Sequence, residues 1–273
     1  MASNSYRVMQ YNVLHQKAGW TVQTGLFEMP FETRAQNVAN AIKEIAPDVV
    51  LLSERHDEWA GINTGAVAME NGAVSLLQLL GDTYAIAEDQ ITHNGVTAVN
   101  RVPIVYNKSK LKLVDSGFIA LTEEYSFELS QNKRVVTWAI FEDISGFSTT
   151  GEQFAVFNTH WSIQENTDKG VSYADIRAKQ SKEMQALIND ARFQNMPRIV
   201  GGDFNAQYHF DIFQELLVTC GLTHTDMEIN GEITWDSVDH IAVTGAEVSS
   251  YALRWFENAS DHPPIYADIV IKK

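Results

Sequence analysis

Cysteine is almost absent from this chain of 273 residues. With Cys220 alone, no disulfide can close within it, which fits a reducing compartment, and a cytoplasmic setting is expected. Cys220 shares a helical period with Phe210, Phe213 and Leu217, so a buried structural thiol is expected there. Basic residues are scarce beside acidic ones, 20 against 35, for a net charge of −15. That sign repels polyanions at long range, and no basic cluster runs longer than KSKLK at 108–112, so stable binding of duplex DNA is not expected. A nuclease is still allowed, because carboxylates gathered at a metal count in this sum while the cations they hold do not. Long apolar runs are also missing. Nothing approaches the roughly 20 residues that cross a bilayer, and the opening MASNSYRVMQYNV lacks the basic-then-apolar pattern of a secretory signal. The 6 prolines and 16 glycines are scattered, with no linker, low-complexity run or repeat, so one domain over 1–273, acting as a monomer, is expected.

What is present is a large core. Hydrophobic residues make up 45% of the chain and charged residues 20%, the composition of a folded globular protein. Alternation or continuous apolar runs predict strands over Tyr6–Val13, Asp48–Ser53, Tyr84–Glu88, Ile104–Tyr106, Leu111–Val114, Arg134–Phe141, Gln153–Thr159, Arg198–Gly201, Val238–Val243 and Tyr251–Trp255, with a closing strand after Pro264. Helical spacing predicts helices over Arg34–Ile45, Ala73–Leu80, Ser172–Asp190 and Phe210–Cys220. Mixed runs of strands, rather than strict strand–helix alternation, argue against Rossmann and TIM architectures.

The stretch Gly201–Ala206, GGDFNA, organises the chemistry. Asp203 and Asn205 stand two residues apart at the end of an extended run, so their side chains share one direction. The two glycines allow a backbone or a phosphate to come close. Taken alone, the hexapeptide is an Asx-rich turn after a strand. Other polar residues, however, also end or interrupt predicted strands: Asn12, Glu54, His160, Asp239, Asp261 and His262. Each has a plain structural reading, such as a salt bridge from Arg55 to Glu54 or a packed His160 beside Trp161. Only one of the neighbours Asp239 and His240 can face a shared site. As a set they supply carboxylates, amides and imidazoles but no thiolate, which suits Mg²⁺ or Mn²⁺, with Ca²⁺ a further candidate, rather than structural zinc.

Asn12 in QYNVL, Glu54 after its apolar strand, His160 in NTHW, Asp203 and Asn205 in GGDFN, Asp239 in SVDHI, and Asp261 with His262 in SDHPP arrive in an order that resembles the endonuclease/exonuclease/phosphatase superfamily. The chain departs from the family's habit at Ser53–Glu54, where Gln–Glu is common, and at Asp239–His240, where Asp–Tyr is common. The resemblance implies a four-layer α/β sandwich, two face-to-face and mostly antiparallel sheets flanked by helices, with the site in a cleft at one end. It also implies a metal-dependent phosphoester hydrolase, a phosphodiesterase or nuclease first and a phosphomonoesterase or phospholipase-type enzyme second; a binding module without turnover is the third reading. By the same resemblance Glu54, Asn12 and Asp261 hold the cation, with Asp203 and Asn205 as further ligands. His262 held by Asp239 is the general base, Asp203 orients water, Asn205 contacts a non-bridging oxygen and His160 stabilises the transition state. Arg134 is a weaker candidate for a phosphate contact. Trp20, Phe27 and Phe31, in the loop after the first motif, are candidates to stack a base or cover a sugar, though anchoring the loop is their simpler role.

Overall fold

The structure, a computed structural model, describes residues 5–14, 31–55, 75–93, 95–122, 134–145, 152–163 and 167–271. Its elements run β1 (Ser5–Asn12), α1 (Phe31–Ile45), β2 (Val49–Ser53), α2 (Leu76–Leu80), β3 (Tyr84–Ala87), β4 (Gln90–His93), β5 (Val96–Val99), β6 (Ile104–Asn107), β7 (Leu111–Leu121), β8 (Arg134–Asp143) and β9 (Gln153–His160). After a short 3₁₀ turn come α3 (Tyr173–Ile188), β10 (Arg198–Asp203), α4 (Asp211–Cys220), β11 (Thr223–His224), α5 (Thr225–Asn230), β12 (Asp239–Thr244), β13 (Ala246–Leu253) and β14 (Ile265–Ile271). Two six-stranded sheets result, ordered β13-β14-β1-β2-β6-β3 and β11-β12-β10-β9-β8-β7, with β4-β5 as a separate hairpin.

Strand alternation builds the layers. Even positions of β1, Tyr6 and Val8, pack between the sheets with Leu51, Phe141, Phe154, Val156, Ile199 and Ile241. Odd positions, Met9 and Tyr11, with Val13 just past the strand's end, face the apolar stripe of α1, where Ala35, Val38 and Ile42 are buried. On the second sheet Val136, Trp138, Phe157 and Val200 face Met184, Leu187 and Ile188 of α3 and Phe213 and Leu217 of α4. Helix, sheet, sheet, helix is therefore the order of layers, the expected sandwich.

Sequence and structure differ in several places. The hairpin β4-β5 and the pair β11-α5 were not legible, and β7 continues to Leu121. Helix α2 starts at Leu76, not Ala73, because Ser75 caps it in a reciprocal box with Gln78; residues 73 and 74 lie outside the described set. Strand β13 ends at Leu253, leaving Trp255 in a loop. Phe210 is the N-cap of α4 and is exposed, while Cys220 is buried as expected. The glycines of GGDFNA answer to neighbouring strands. A Cβ on Gly202, at φ +146°, would sit 2.2 Å from the Thr159 carbonyl oxygen, and one on Gly201 2.5 Å from Leu51 Cδ1 in the facing sheet.

Candidate active site

The space between the sheets changes character along its length. Strands β1 and β2 are parallel, as are β9 and β10, so their C-terminal ends lie together in pairs, and β12, antiparallel to β10, begins beside them. The same alternation that points Tyr6, Val8, Ile199 and Ile241 into the apolar layer points Gln10, Asn12, His160, Asp203 and Asp239 into it at this end. Asp203 faces both its partners in register, His160 on β9 and Asp239 on β12.

Asp203 is the hub. Asn12 Nδ2 donates to Asp203 Oδ2 at 3.0 Å and to Glu54 Oε1 at 3.1 Å, and thereby bridges two carboxylates from different sheets. His160 Nε2 lies 3.5 Å from Asp203 Oδ2, and the Asn205 backbone N–H donates to Asp203 Oδ1 at 2.9 Å. Burial, and after it the nearby charge of Asp239, push the Asp203 carboxyl up to about 7, against the opposite pull of His262 and its donors Asn205 and Asn12. Two groups of ligand atoms lie within 4.8 Å of one another: Glu54, His160 and Asp203, and Asp203, Asp239 and His262.

His262 Nδ1 meets Asp239 Oδ2 at 2.6 Å. Burial alone would lower the imidazole's proton affinity. Asp239, through charge and hydrogen bond, together with Asp203 and Asp261, outweighs it and raises the pKa to about 10. Asp239 is held in turn by Gln10 Nε2 at 3.0 Å and by the Ser237 hydroxyl, whose Oγ also accepts the Asp239 N–H. Ser260 Oγ donates to the Asn12 carbonyl at 2.6 Å and accepts the His262 N–H, which ties the SDHPP segment to the end of β1. Asp261 stands outside both ligand groups, 3.4 Å from Ser260 Oγ, and reaches His262 through its charge.

The remaining expected residues fall as follows. Asn12 presents its N–H₂ to the carboxylates while its Oδ1 accepts the Leu14 N–H, so it would have to turn its amide to ligate a cation. Asn205, left-handed at φ 46°, is fixed on three sides: its N–H to Asp203, its Nδ2 to Trp161 O at 2.8 Å, and its carbonyl by Arg177 Nη1 at 2.5 Å. Glu54 is also left-handed, at φ 63°, a conformation that costs about 1 kcal/mol for such a side chain and turns it toward Asn12. Arg55 pairs with Asp89. Arg134, at the start of β8, is within the field of Asp203 and Glu54, though burial holds its pKa down. Trp20 and Phe27 lie outside the described residues, and Phe31 opens α1 instead of lying in a loop.

His240 points away from the site. It stacks on Phe213 at 4.1 Å, with Nε2 on the Ala206 carbonyl and Nδ1 on His224 Nε2. Sequence reasoning missed Gln10, Ser237, Ser260 and Arg177. Gln10 carried a signal: a polar residue in a buried strand two positions before Asn12 must share its face.

A two-sheet sandwich with this cleft of carboxylates, amides and imidazoles defines the class of phosphoester hydrolases. The chain belongs to the Endonuclease/Exonuclease/phosphatase family, whose pattern matches residues 9–262. Solved structures with the same fold include an endonuclease/exonuclease/phosphatase family protein from Bacteroides thetaiotaomicron, 17% identical, with TM-score 0.72 and full coverage of both chains at 100%. The fold is also similar to the mannosyl-6-phosphatase of Bacteroides thetaiotaomicron, 17% identical with TM-score 0.69 over 97% of this chain and 100% of that one. It is similar as well to the human Nocturnin catalytic domain with bound sulfate, 21% identical with TM-score 0.69 over 98% of this chain and 94% of that one. No curated protein matches the sequence. Among the described residues, no helix is long and apolar enough to cross a membrane.

Proposed function

We propose that the protein is a divalent-metal-dependent phosphodiesterase in which His262, oriented by Asp239, activates the attacking water. The contact of 2.6 Å between His262 Nδ1 and Asp239 Oδ2 carries this reading. With its Nδ1 proton committed to the carboxylate, the neutral ring has Nε2 as its basic atom, and Asp239 stabilises the imidazolium formed when water gives up its proton. Gln10 and Ser237 fix Asp239, so the orientation of His262 is set from behind.

The residues present fit a hard cation. Asp203 and Asp239 face each other in register in a buried space and Glu54 stands beside them; burial and then the charge of Asp239 drive up the proton affinity of Asp203, and the carboxylates drive up that of His262 against its burial. Glu54, His160 and Asp203 would hold the ion, with Asn12, Asn205 and Asp261 adjacent to it. When bound, it would polarise a phosphoryl oxygen, offset charge in the transition state and lower the proton affinity of His262 toward that of a working base. Asp203 orients the water that His262 deprotonates, and the Asn205 amide and Arg134 contact phosphoryl oxygens.

The basic run KSKLK does not serve this cleft. Lys110 binds the Ser5 carbonyl and Asp48 at the opposite end of β1, and Lys112 pairs with Glu142. A small or single-stranded substrate therefore fits better than a duplex. A phosphomonoester is the second reading, favoured by the same shortage of groups to track a polymer. Hydrolysis assays on single-stranded RNA, single- and double-stranded DNA, bis-p-nitrophenyl phosphate, inositol phosphates and sphingomyelin, each with Mg²⁺ and Mn²⁺, separate the two. EDTA is expected to abolish turnover, and added Mg²⁺ or Mn²⁺ to restore it; turnover indifferent to chelator would defeat the metal. His262→Ala is expected to cost about 10²–10⁴-fold in kcat with the fold intact, and near-normal turnover would remove His262 from the role.

A further inference from the structure

Two tryptophans stand half-exposed at the end of the sandwich that holds the site, on the two loops that deliver Asp239 and His262. Trp235 is 42% exposed and Trp255 54%, yet their rings meet edge to face at 6.1 Å between centroids. Trp235 lies four residues before Asp239, which limits the separation of their Cα atoms to about 14 Å. Trp255 follows Arg254, whose N–H bonds the Pro264 carbonyl two residues beyond His262. Both rings are thus at the end of the sandwich where the phosphoester would be cut.

Each is held by its neighbours while its own ring stays half-exposed. Before Trp235, Thr234 binds the buried Asp226; after it, Asp236 accepts from Gln207 Nε2 at 2.9 Å, and Ser237 bonds both Asp239 and the Trp235 carbonyl. Beside Trp255, Arg254 pairs with Glu44 and lies over the Phe256 ring. Two pinned loops that present a pair of touching, half-exposed aromatic rings at the end of the sandwich that holds the polar site have the form of a stacking surface.

We propose that Trp235 and Trp255 form a corner that stacks a nucleobase carried by the phosphoester, so that base stacking supplies binding that the acidic surface cannot. This rests on the phosphoester reading of the cleft and deepens it by naming the leaving or flanking group. A nucleobase fits better than a sugar. The polar side chains next to the corner, on Thr234, Asp236 and Arg254, are already committed to Asp226, Gln207 and Glu44, which leaves few partners for ring hydroxyls beside two half-exposed aromatic rings. With a net charge of −15, stacking is also the attraction least opposed by long-range repulsion.

The test compares equilibrium binding of adenosine 5′-monophosphate and ribose 5-phosphate in Ca²⁺ buffer by calorimetry, since the two share phosphate and sugar and differ by the base. Wild type is expected to bind the nucleotide about tenfold or more tightly. The Trp235→Ala, Trp255→Ala double variant is expected to bind both alike, at the wild-type ribose 5-phosphate level, while the double Phe variant keeps most of the preference. Circular dichroism checks that each variant is folded. A wild type that does not discriminate, or an alanine variant that still does, overturns the proposal. Tighter binding of a 5′-phosphorylated dinucleotide than of the mononucleotide assigns the base to a strand, and equal binding assigns it to a free nucleotide; both support the corner. No turnover is needed for this readout. Failure to hydrolyse any phosphoester would sink the reaction proposed above, whereas a missing base preference would sink the stacking corner alone.

Discussion

Strand β12 carries two histidine environments on its two faces. On the inter-sheet face, Asp239 holds His262 among carboxylates, and the ring's pKa rises to about 10 despite its burial. On the helix-facing side, His240 and His224 are joined at 3.0 Å and packed on Phe213; burial lowers them to about 4 and about 3, and in His224 the neighbouring His240 adds to it. Burial lowers all three. What separates them is the neighbour: carboxylates outweigh the desolvation of His262, while at His240 the Ala206 carbonyl and the charges of Asp239, Asp236 and Asp226 offset burial only in part, and at His224 the second imidazole adds to it. One side of the strand thus stores a proton beside a water-accessible cleft, and the other keeps two neutral rings in a fixed chain. If His240 Nε2–H donates to Ala206, its Nδ1 must accept from His224 Nε2–H.

The comparison breaks most visibly at Asp239. Replacing it by Asn preserves shape but removes the charge that fixes the His262 tautomer and stabilises its protonated form, so kcat is expected to fall about 10³-fold or more. A loss under tenfold would mean that His262 is positioned by something other than Asp239. The next effect is on stability, and the two faces predict opposite signs. In EDTA, His262 has a folded pKa of about 10 against 6.5 unfolded, so its contribution is complete below pH 6.5 and is lost as pH rises toward 10. For His240 and His224 the folded values, about 4 and about 3, lie below 6.5, so the unfolded chain takes up more protons in acid and stability falls as pH drops from 6.5 toward 4. Each such proton changes stability by roughly 1.4 kcal/mol per pH unit inside its window. Urea unfolding midpoints across pH 4–10 are expected to fall on both limbs, the acid one softened by Asp203, which keeps its proton up to about 7 when folded against 3.8 unfolded, and His262→Gln is expected to flatten the alkaline limb far more than the acid one. A variant that flattens both would show that the two faces are coupled.

How much of this was legible follows from how each signal repeats. Long strands with one buried face announce themselves by alternation, and Asn12, His160 and Asp203 were found because each breaks an apolar run at its end. The short pieces carried no period. QITH and VTAV in β4 and β5, and TDMEIN in α5, are too short to show one, and their polar residues are as common in loops. The supports of the site were missed for another reason. Arg177 acts on the Asn205 carbonyl from a helix far away in sequence, and Ser260 on the Asn12 carbonyl from the other end of the chain; backbone acceptors leave no mark in the sequence. That Asp239 and His240 face opposite ways was legible from strand geometry, but whether His240 packs or contributes was not, nor was its partner, since His224 lies on a two-residue strand.

The smallest effect on activity, and the sharpest on the comparison, is expected from His240→Phe. Phenylalanine keeps the stack on Phe213 and the packed volume but leaves the Ala206 carbonyl and His224 Nε2 without their partner, a cost of about 1–3 kcal/mol in unfolding free energy. It should also remove about one proton from the acid limb, so the stability difference from wild type narrows as pH falls from 6.5 to 4. Turnover should stay within about threefold, because Asn205 retains its bonds to Asp203, Trp161 and Arg177 when the next carbonyl is released. A large loss of kcat with an unchanged KM would place His240 in control of the Asn205 loop, and the helix-facing side of β12 would then belong to the site rather than to the core beneath it.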